Sequence, residues 1–351
     1  MDALQAAPHI GQLVAGPLNA ITDVPGVAVG HCTLDHGPVQ TGVTMLRPHG
    51  GDCFLQKVPA GAAVINGFGK SVGLVQVQEL GVLESPIALT NTFAVGTVAT
   101  ALIRSAIAAQ PEIGRTLPTV NPLVFECNDG YLNDLHAFAV TEAHAQQALA
   151  STASTFAQGA VGAGRGMTCF GLKGGIGSAS RLAPTPVARF TVGALVLANF
   201  GRPAAFTLAG RHIGPALAQR LAAPSTGPER GSIIMLLATD APLDARQLRR
   251  LATRAGAGLA RTGSDYGHGS GDIALAFSTA YTVPQQLGRL QALTLLHEAM
   301  LDPLFEAAAQ ATEQAIVNAL FAAETVTGRD GNKRIALTAL ARDWQALQQA
   351  A

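Results

Sequence analysis

GSIIMLLATDAPLDARQLRRLATRAGAGLARTGSDYGHGSGDIALAFSTA, residues 231–280, is the stretch that decides the fold. Its first segment, SIIMLLAT (232–239), is an apolar run of the right length for a buried strand. Pro242 and Asp244 then start a helix whose Leu248, Leu251, Ala252, Ala255 and Leu259 share one face, and Gly263 is placed to stop it. DIALAFSTA (272–280) is a second strand. If the helix is a crossover, the two strands run parallel and their N-terminal ends share one edge of a sheet. Side chains at i and i+2 of an extended segment project to the same face, so Ser270 and Asp272 point the same way. Ser232 opens the first strand, and the three polar side chains are expected to converge. A serine at a strand start is also an ordinary turn residue, so the pattern alone does not make Ser232 catalytic.

The ten residues leading into this strand, AAPSTGPERG (222–231), read as an exposed connection. Farther upstream, an Ala/Pro/Gly-rich arm of about 20 residues precedes short apolar runs punctuated by glycine. These runs, VPGVAVGHCTL (24–34), TGVTMLRP (41–48) and AGAAVINGFGKS (60–71), have the texture of strands and turns. Residues 94–109 have helical spacing and little bulk, so this helix is expected against a sheet. Further strands are expected at 122–127 and 190–199. Further helices are expected at 131–150, at 203–223 with interruptions at Gly210 and Pro215, at 284–299 and at 303–325. Without an internal repeat, the alternation argues for one layered α/β domain over residues 1–351 rather than a bundle or an all-β sandwich.

Composition narrows the function. The 351 residues carry 23 Lys+Arg against 23 Asp+Glu, and charged residues make up only 13%, about half the usual share. With 48% hydrophobic residues the chain can build a core, which excludes disorder. A neutral chain without a basic cluster is unsuited to nucleic acid. The apolar window Ile87–Ile103 is broken by Thr90, Asn91 and Thr92 and does not read as a membrane span. Cys32, Cys53, Cys127 and Cys169 are scattered and form no CxxC pair, so neither a disulfide framework nor a zinc ribbon is expected. With no basic-then-apolar leader, a cytoplasmic setting is expected.

Several familiar motifs fail on inspection. NGFGKS (66–71) resembles the end of a phosphate loop, but Val64 stands where its first glycine should be. The glycine run 162–180 lacks the GxGxxG order of a dinucleotide site and fits tight turns or close backbone approach instead. The nine histidines show no HxH or HExxH pairing, and His136 and His144, eight apart on an expected helix, fit a solvated or packing face. No metal site and no cofactor are expected.

Ordered blocks carry a resemblance. ITDVPGVAVGH (21–31), ELGVLESPIALTNT (79–92), ECNDGYLND (126–134), GRGMTCFGLKGGIGSASR (164–181), LVLANFG (195–201), GSIIMLLATDAPL (231–243) and RTGSDYGHGSGDIALAFSTA (261–280) resemble the DmpA-type family of L-aminopeptidase/D-esterases and β-aminopeptidases. The likeness runs from about residue 20 to 335. It implies an α/β/β/α four-layer sandwich like that of N-terminal-nucleophile hydrolases, often as a homotetramer. It also implies a chain that cuts itself between Gly231 and Ser232, leaving residues 1–231 and 232–351 with Ser232 as the nucleophile. A free α-amine, with a pKa of about 7.7–8.0, can serve as the base for the hydroxyl beside it.

The same resemblance assigns Ser270 and Asp272 to a hydrogen-bonded relay to the nucleophile. Some family members carry Glu at the acidic position, so whether Asp272 orients Ser270, binds the substrate amine or does both stays open. Asn199 matches the oxyanion-hole asparagine, Tyr131 a catalytic tyrosine that lines the site and helps polarise the carbonyl, and Glu126 a carboxylate for the substrate's ammonium group. Each has a plainer reading: Asn199 as a strand-end cap, Tyr131 as core and Glu126 as a surface charge. The implied reaction is release of an N-terminal residue from short peptides, amides or esters through an acyl-enzyme. An acyltransferase of the ornithine-acetyltransferase type is the alternative, although such enzymes use threonine. An inactive relative is a third reading.

Overall fold

The computed structural model describes residues 7–222, 230–286 and 291–341, so most of the expected connection 222–231 lies outside the described residues. Strands β1 (Ala28–His36), β2 (Val39–Arg47), β3 (Gln56–Gly67), β4 (Ile87–Asn91), β5 (Leu123–Cys127), β6 (Gly175–Pro184), β7 (Arg189–Asn199), β8 (Arg230–Thr239) and β9 (Gly269–Ser278) build two sheets. One runs β1–β2–β4–β5 and the other β6–β7–β8–β9–β3, with two-residue strands 82–83 and 283–284 added on β3. The longer helices are α1 (Val95–Ala109), α2 (Glu142–Ala150), α3 (Ala245–Arg261) and α4 (Asp302–Ala322).

Strand alternation explains the layering. Ile234 and Leu236 of β8 and Ile273 and Leu275 of β9 face Leu46, Leu89 and Phe125 of the other sheet. The intervening residues Ile233, Met235 and Leu237 face the opposite way, onto Leu248, Leu251 and Leu259 of α3 and Leu304 and Ile316 of α4. On the far side, Val98 and Leu102 of α1 and Ala145 and Ala148 of α2 cover Val43, Met45, Ala88 and Val124. The result is the α/β/β/α sandwich. By length and mean hydropathy the segment Thr92–Ala109 could cross a membrane, but here Val98, Ala101 and Leu102 lie buried against the sheet.

The deciding stretch folds as its pattern predicts. Asp244 caps α3 by accepting from the Gln247 amide at 2.7 Å, while Gln247 Oε1 accepts from the Asp244 amide at 3.1 Å. Gly258 lets α3 lie close to α4, since a Cβ there would stand 2.4 Å from the Ala309 carbonyl oxygen. The helix ends at Arg261, two residues before Gly263, whose φ is +102°.

Elsewhere tertiary contacts override local pattern. The N-terminal arm is bound along its described part: the Ile10 amide donates to Gln314 Oε1 at 2.8 Å, and the amides of Gln12 and Leu13 donate to Gln310 Oε1. Buried Arg181 completes that clamp, donating to the carbonyls of Ile10 and Ser180 and to Asn19 and Gln314. Only Glu142–Ala150 of the helix expected at 131–150 forms, so His136 sits in a 3-10 turn and His144 on the helix. In 203–223 a hairpin, Thr207–Leu208 with Arg211–His212, turns through Ala209 and Gly210, both at positive φ. Pro215 then opens the short helix Gly214–Arg220. The helix expected at 284–299 is reduced, among the described residues, to a 3-10 turn at Glu298–Met300. There the Leu296 amide donates to Pro242 and Gln247 Nε2 donates to the Leu296 carbonyl, so backbone groups bond to the start of α3 instead of a helical ladder.

Leu251 is fully buried between α3 and the sheet, and Val75 is 82% exposed. Leu251→Ala is expected to cost about 2–5 kcal/mol in denaturant unfolding, whereas Val75→Ala stays within about 0.5 kcal/mol.

Candidate active site

The crossover α3 makes β8 and β9 parallel, in a register that sets Gly231 opposite Ser270 and Ser232 opposite Gly271. On its other edge β8 pairs antiparallel with β7, which sets Asn199 opposite Ser232. Directly opposed residues of an antiparallel pair share a face, so the Asn199 amide and the Ser232 hydroxyl lie on the same side of the sheet. The Ser232 hydroxyl donates to the Gly231 carbonyl at 2.7 Å and accepts from the Gly271 amide at 3.1 Å. Gly231 has φ +130°, and a Cβ there would stand 2.1 Å from the Asn199 carbonyl oxygen. Any larger residue would disrupt the backbone just before Ser232.

Asn199 is held as a donor. Its Oδ1 accepts from the Thr168 amide at 2.8 Å and its Nδ2 donates to the Asn128 carbonyl at 3.0 Å. A backbone N–H at one end and a carbonyl at the other fix which end of the amide is nitrogen. Among the described residues its second N–H has no partner.

Ser270 and Asp272 form a fully buried pair, the Ser270 hydroxyl donating to Asp272 Oδ1 at 2.5 Å. The strand starts meet as expected, but the expected convergence of all three side chains is corrected. Ser232 alternates with Ile234 and Leu236 toward the other sheet, whereas Ser270 and Asp272 alternate with Ala274 and Ala276 toward the helices. The parallel register with Ser232 opposite Gly271 forces this offset. The side chain of Asn66 braces the turn before the pair by donating to the Gly267 and Ser270 carbonyls.

Glu126 is no surface charge. It is 3% exposed and accepts from the Lys70 amide at 2.8 Å and from the Thr92 hydroxyl. The position of a Cβ on Gly69 would lie 3.7 Å from Glu126 Oε1 and 3.9 Å from Gly271 Cα, so this carboxylate stands close to the Ser232 neighbour. Tyr131 is not core: it is 40% exposed, and its ring lies 3.5 Å from the Arg334 guanidinium carbon.

The structure adds residues that pattern alone does not mark. Lys173, fully buried in the glycine run, donates to the carbonyls of Gly164, Met167 and Gly174 at 2.8–2.9 Å, gathering the loop that carries Thr168. Burial pulls its pKa down to about 7. Asp129, next to Asn128, accepts from Asn133 Nδ2 at 3.0 Å and turns the segment that presents Tyr131. Burial pushes its carboxyl up to about 7, against the pull of Thr41 and Asn133. A lone Lys among glycines and an Asp within NDG are the only hints the sequence offers.

The fold and the serine–asparagine pair place the chain among serine peptidases of the N-terminal-nucleophile type. Residues 19–334 match peptidase family S58, and the chain belongs to that family. It is 42% identical over 339 residues to the β-peptidyl aminopeptidase BapA of Sphingosinicella microcystinivorans, covering 90% of this chain and 84% of that one. A Burkholderia sp. β-aminopeptidase matches it with a TM-score of 0.89 at 41% identity, over 97% of this chain and 96% of that one. The L-aminopeptidase D-Ala-esterase/amidase of Ochrobactrum anthropi, a variant of the Ntn-hydrolase fold, matches with a TM-score of 0.87 at 35% identity, over 98% of both chains. The chain is a peptidase of the serine aminopeptidase class.

An acid whose pKa is raised by folding holds its proton more tightly when folded. The stability it contributes is present at low pH and is lost as pH rises from its ordinary 3.8 to about 7. The thermal midpoint of the wild type is therefore expected to fall relative to that of Asp129→Asn across this window. A gap between the two proteins that does not change with pH would count against the assignment.

Proposed function

We propose that the chain is one α/β domain that cuts itself between Gly231 and Ser232, and that Ser232 is then the nucleophile of an aminopeptidase for short peptides. The observation that carries this reading is the pairing of Asn199 with Ser232 across β7 and β8, with the hydroxyl already 2.7 Å from the Gly231 carbonyl oxygen. In the intact chain the hydroxyl oxygen adds to the Gly231 carbonyl carbon and gives its proton to a base. The base passes that proton to the Ser232 nitrogen as the C–N bond breaks, leaving an ester on the Ser232 hydroxyl oxygen and a free α-amine, and water hydrolyses the ester to free the Gly231 carboxylate.

In the cut chain the α-amine takes the hydroxyl proton as Ser232 attacks the substrate carbonyl. The spare N–H of Asn199 stabilises the oxyanion, and Tyr131 lines the entrance. Glu126 receives the substrate's ammonium group, having two partly buried hydrogen bonds already made and lone pairs to spare. Because Ser270 stands opposite Gly231 in the register, the Ser270–Asp272 pair approaches the new α-amine from the helix side of the sheet instead of touching the hydroxyl. The relatives named as β-peptidyl aminopeptidases support a β-aminoacyl group as the residue released.

Side chains and the amine fill every role, so the reading asks for no metal or cofactor, and activity should survive chelation. A cytoplasmic setting, supported by four buried free cysteines, and a tetramer of cut chains, supported by exposed Val64, Phe68 and Leu80, complete the proposal. It involves neither nucleic acid nor membrane.

On a denaturing gel, wild type should resolve into two bands, while Ser232→Ala and Gly231→Ala stay as one. A wild type that stays uncut after long incubation overturns self-processing. Asn199→Ala, once cut, is expected to lose about 10²–10³ in kcat on β-alanyl, L-alanyl or D-alanyl p-nitroanilide. Including an amine acceptor in the same assay separates hydrolysis from acyl transfer.

A further inference from the structure

Arg334 closes a two-residue strand, Lys333–Arg334, paired with Val326–Thr327. Its Nε donates to Thr168 Oγ1 at 3.3 Å, and the Thr168 amide in turn donates to Asn199 Oδ1 at 2.8 Å. One residue therefore separates this guanidinium from the amide that faces Ser232. Its flat face lies on the Tyr131 ring, and Asn332 Nδ2 fixes the base of that tyrosine by donating to its carbonyl.

The charge of Arg334 is unanswered. Seven arginines form ion pairs, with Glu142, Glu324, Asp265, Glu298, Glu313 or Asp330, but Arg334 is half-buried and among the described residues no carboxylate comes within ion-pair distance of it. Arg181 also lacks an ion pair, yet both its Nη1 and Nη2 groups are taken up by the four acceptors that tie it to the N-terminal arm, β6 and α4, which leaves no pair of N–H groups for a carboxylate. Arg334 has only Thr168 and a 3.5 Å contact with the Lys333 carbonyl besides Tyr131. Burial holds its pKa below the usual arginine value, which shows the cost of drying this cation without a counter-ion. A guanidinium held flat with free N–H groups matches the two oxygens of a carboxylate.

We propose that Arg334 binds the free C-terminal carboxylate of a dipeptide substrate, with Tyr131 holding the guanidinium in place. Glu126 and Arg334 then read the two ends of a zwitterion. A dipeptide satisfies both, and a C-terminally amidated one satisfies only Glu126. This deepens the reading of Ser232 as an aminopeptidase nucleophile and rests on it.

The test is steady-state kinetics of the cut enzyme on β-alanyl-L-alanine and β-alanyl-L-alanine amide, for wild type, Arg334→Gln, Arg334→Lys and Lys70→Gln. Wild type should show the lower KM for the free acid. Arg334→Gln should raise that KM about tenfold or more while the KM for the amide moves less than about twofold, and Arg334→Lys should fall between. Equal KM increases for both substrates would assign Arg334 a structural role and overturn the inference. Loss of the preference in Lys70→Gln instead would also overturn it, since Lys70 is the nearby cation stacked on exposed Phe68. Should Arg334→Gln fail to accumulate, the wild-type acid-over-amide preference and its weakening in Arg334→Lys still decide the point. A wild type that hydrolyses the amide without preferring the acid overturns the inference alone. One that hydrolyses neither overturns the peptidase reading with it.

Discussion

The register of β8 between β7 and β9 is the constraint on which the site depends. Ser232 is placed from both sides, by Asn199 across the antiparallel pair and by the Gly271 amide across the parallel one. A slip of one residue would turn the hydroxyl from the inter-sheet face to the helix face. Parallel pairing needs a crossover, and α3 supplies it. That helix lies close enough to α4 to exclude a Cβ at Gly258, so packing on the outer layer holds the inner strands to one register. A core hydrophobe such as Leu251 is thus tied to the geometry at Ser232 without being near it.

Around that frame the chain sets a few of its charges in buried places. Glycine-rich backbone can approach closely, but it also exposes carbonyls that need donors. Lys173 answers three of them with one ammonium, and Arg181 gathers the arm, β6 and α4 in the same way. Asp129 does the converse, accepting from Asn133 within the turn that leads from β5 to Tyr131. These few buried charges sit at joints between loops, while most of the others remain at the surface. The loops that flank Ser232 are stiffened by groups whose removal leaves unmet carbonyls in a dry interior.

The legible parts of the chain were those whose local and tertiary preferences agree. Strand–helix–strand at 231–280 was readable because its apolar run, its capping residues and its buried helix stripe all point one way. The segment 284–299 was not, since its helical spacing competes with hydrogen bonds to Pro242 and Gln247 that no local pattern announces. The same holds for 131–150, where the Asp129 turn and Phe138, at φ +45°, take up the first half. At the site, the adjacency of Ser232 and the Ser270–Asp272 pair followed from topology, while their opposite faces depended on a register that sequence does not carry. Glu126 shows the limit of reading charge by type alone, because only the fold reveals that it is buried against Lys70 and Thr92. Lys173 and Arg334 gave even less signal, since their partners are backbone atoms and rings distant in sequence.

The separation of Ser232 from Ser270 and Asp272 has a simple physical sense. A side chain belongs to one face of a sheet, but a backbone nitrogen lies in the plane between the faces. The proposed cut before Ser232 would turn that nitrogen into an amine at the end of a strand, where it can be approached from either side. The inter-sheet face is then free for the hydroxyl, the Asn199 amide and the substrate. The helix face keeps Ser270 and Asp272 fully buried, away from substrate and water. A hydrogen-bonded acid sealed there acts in a low-dielectric medium, where its hold on an ammonium is stronger than at a wet surface. Had both sets shared one face, the acid would compete with Glu126 for the substrate ammonium that the proposed function assigns to it. In the proposed mechanism, placing them on opposite faces would let two carboxylates serve two amines, with the strand itself as the partition.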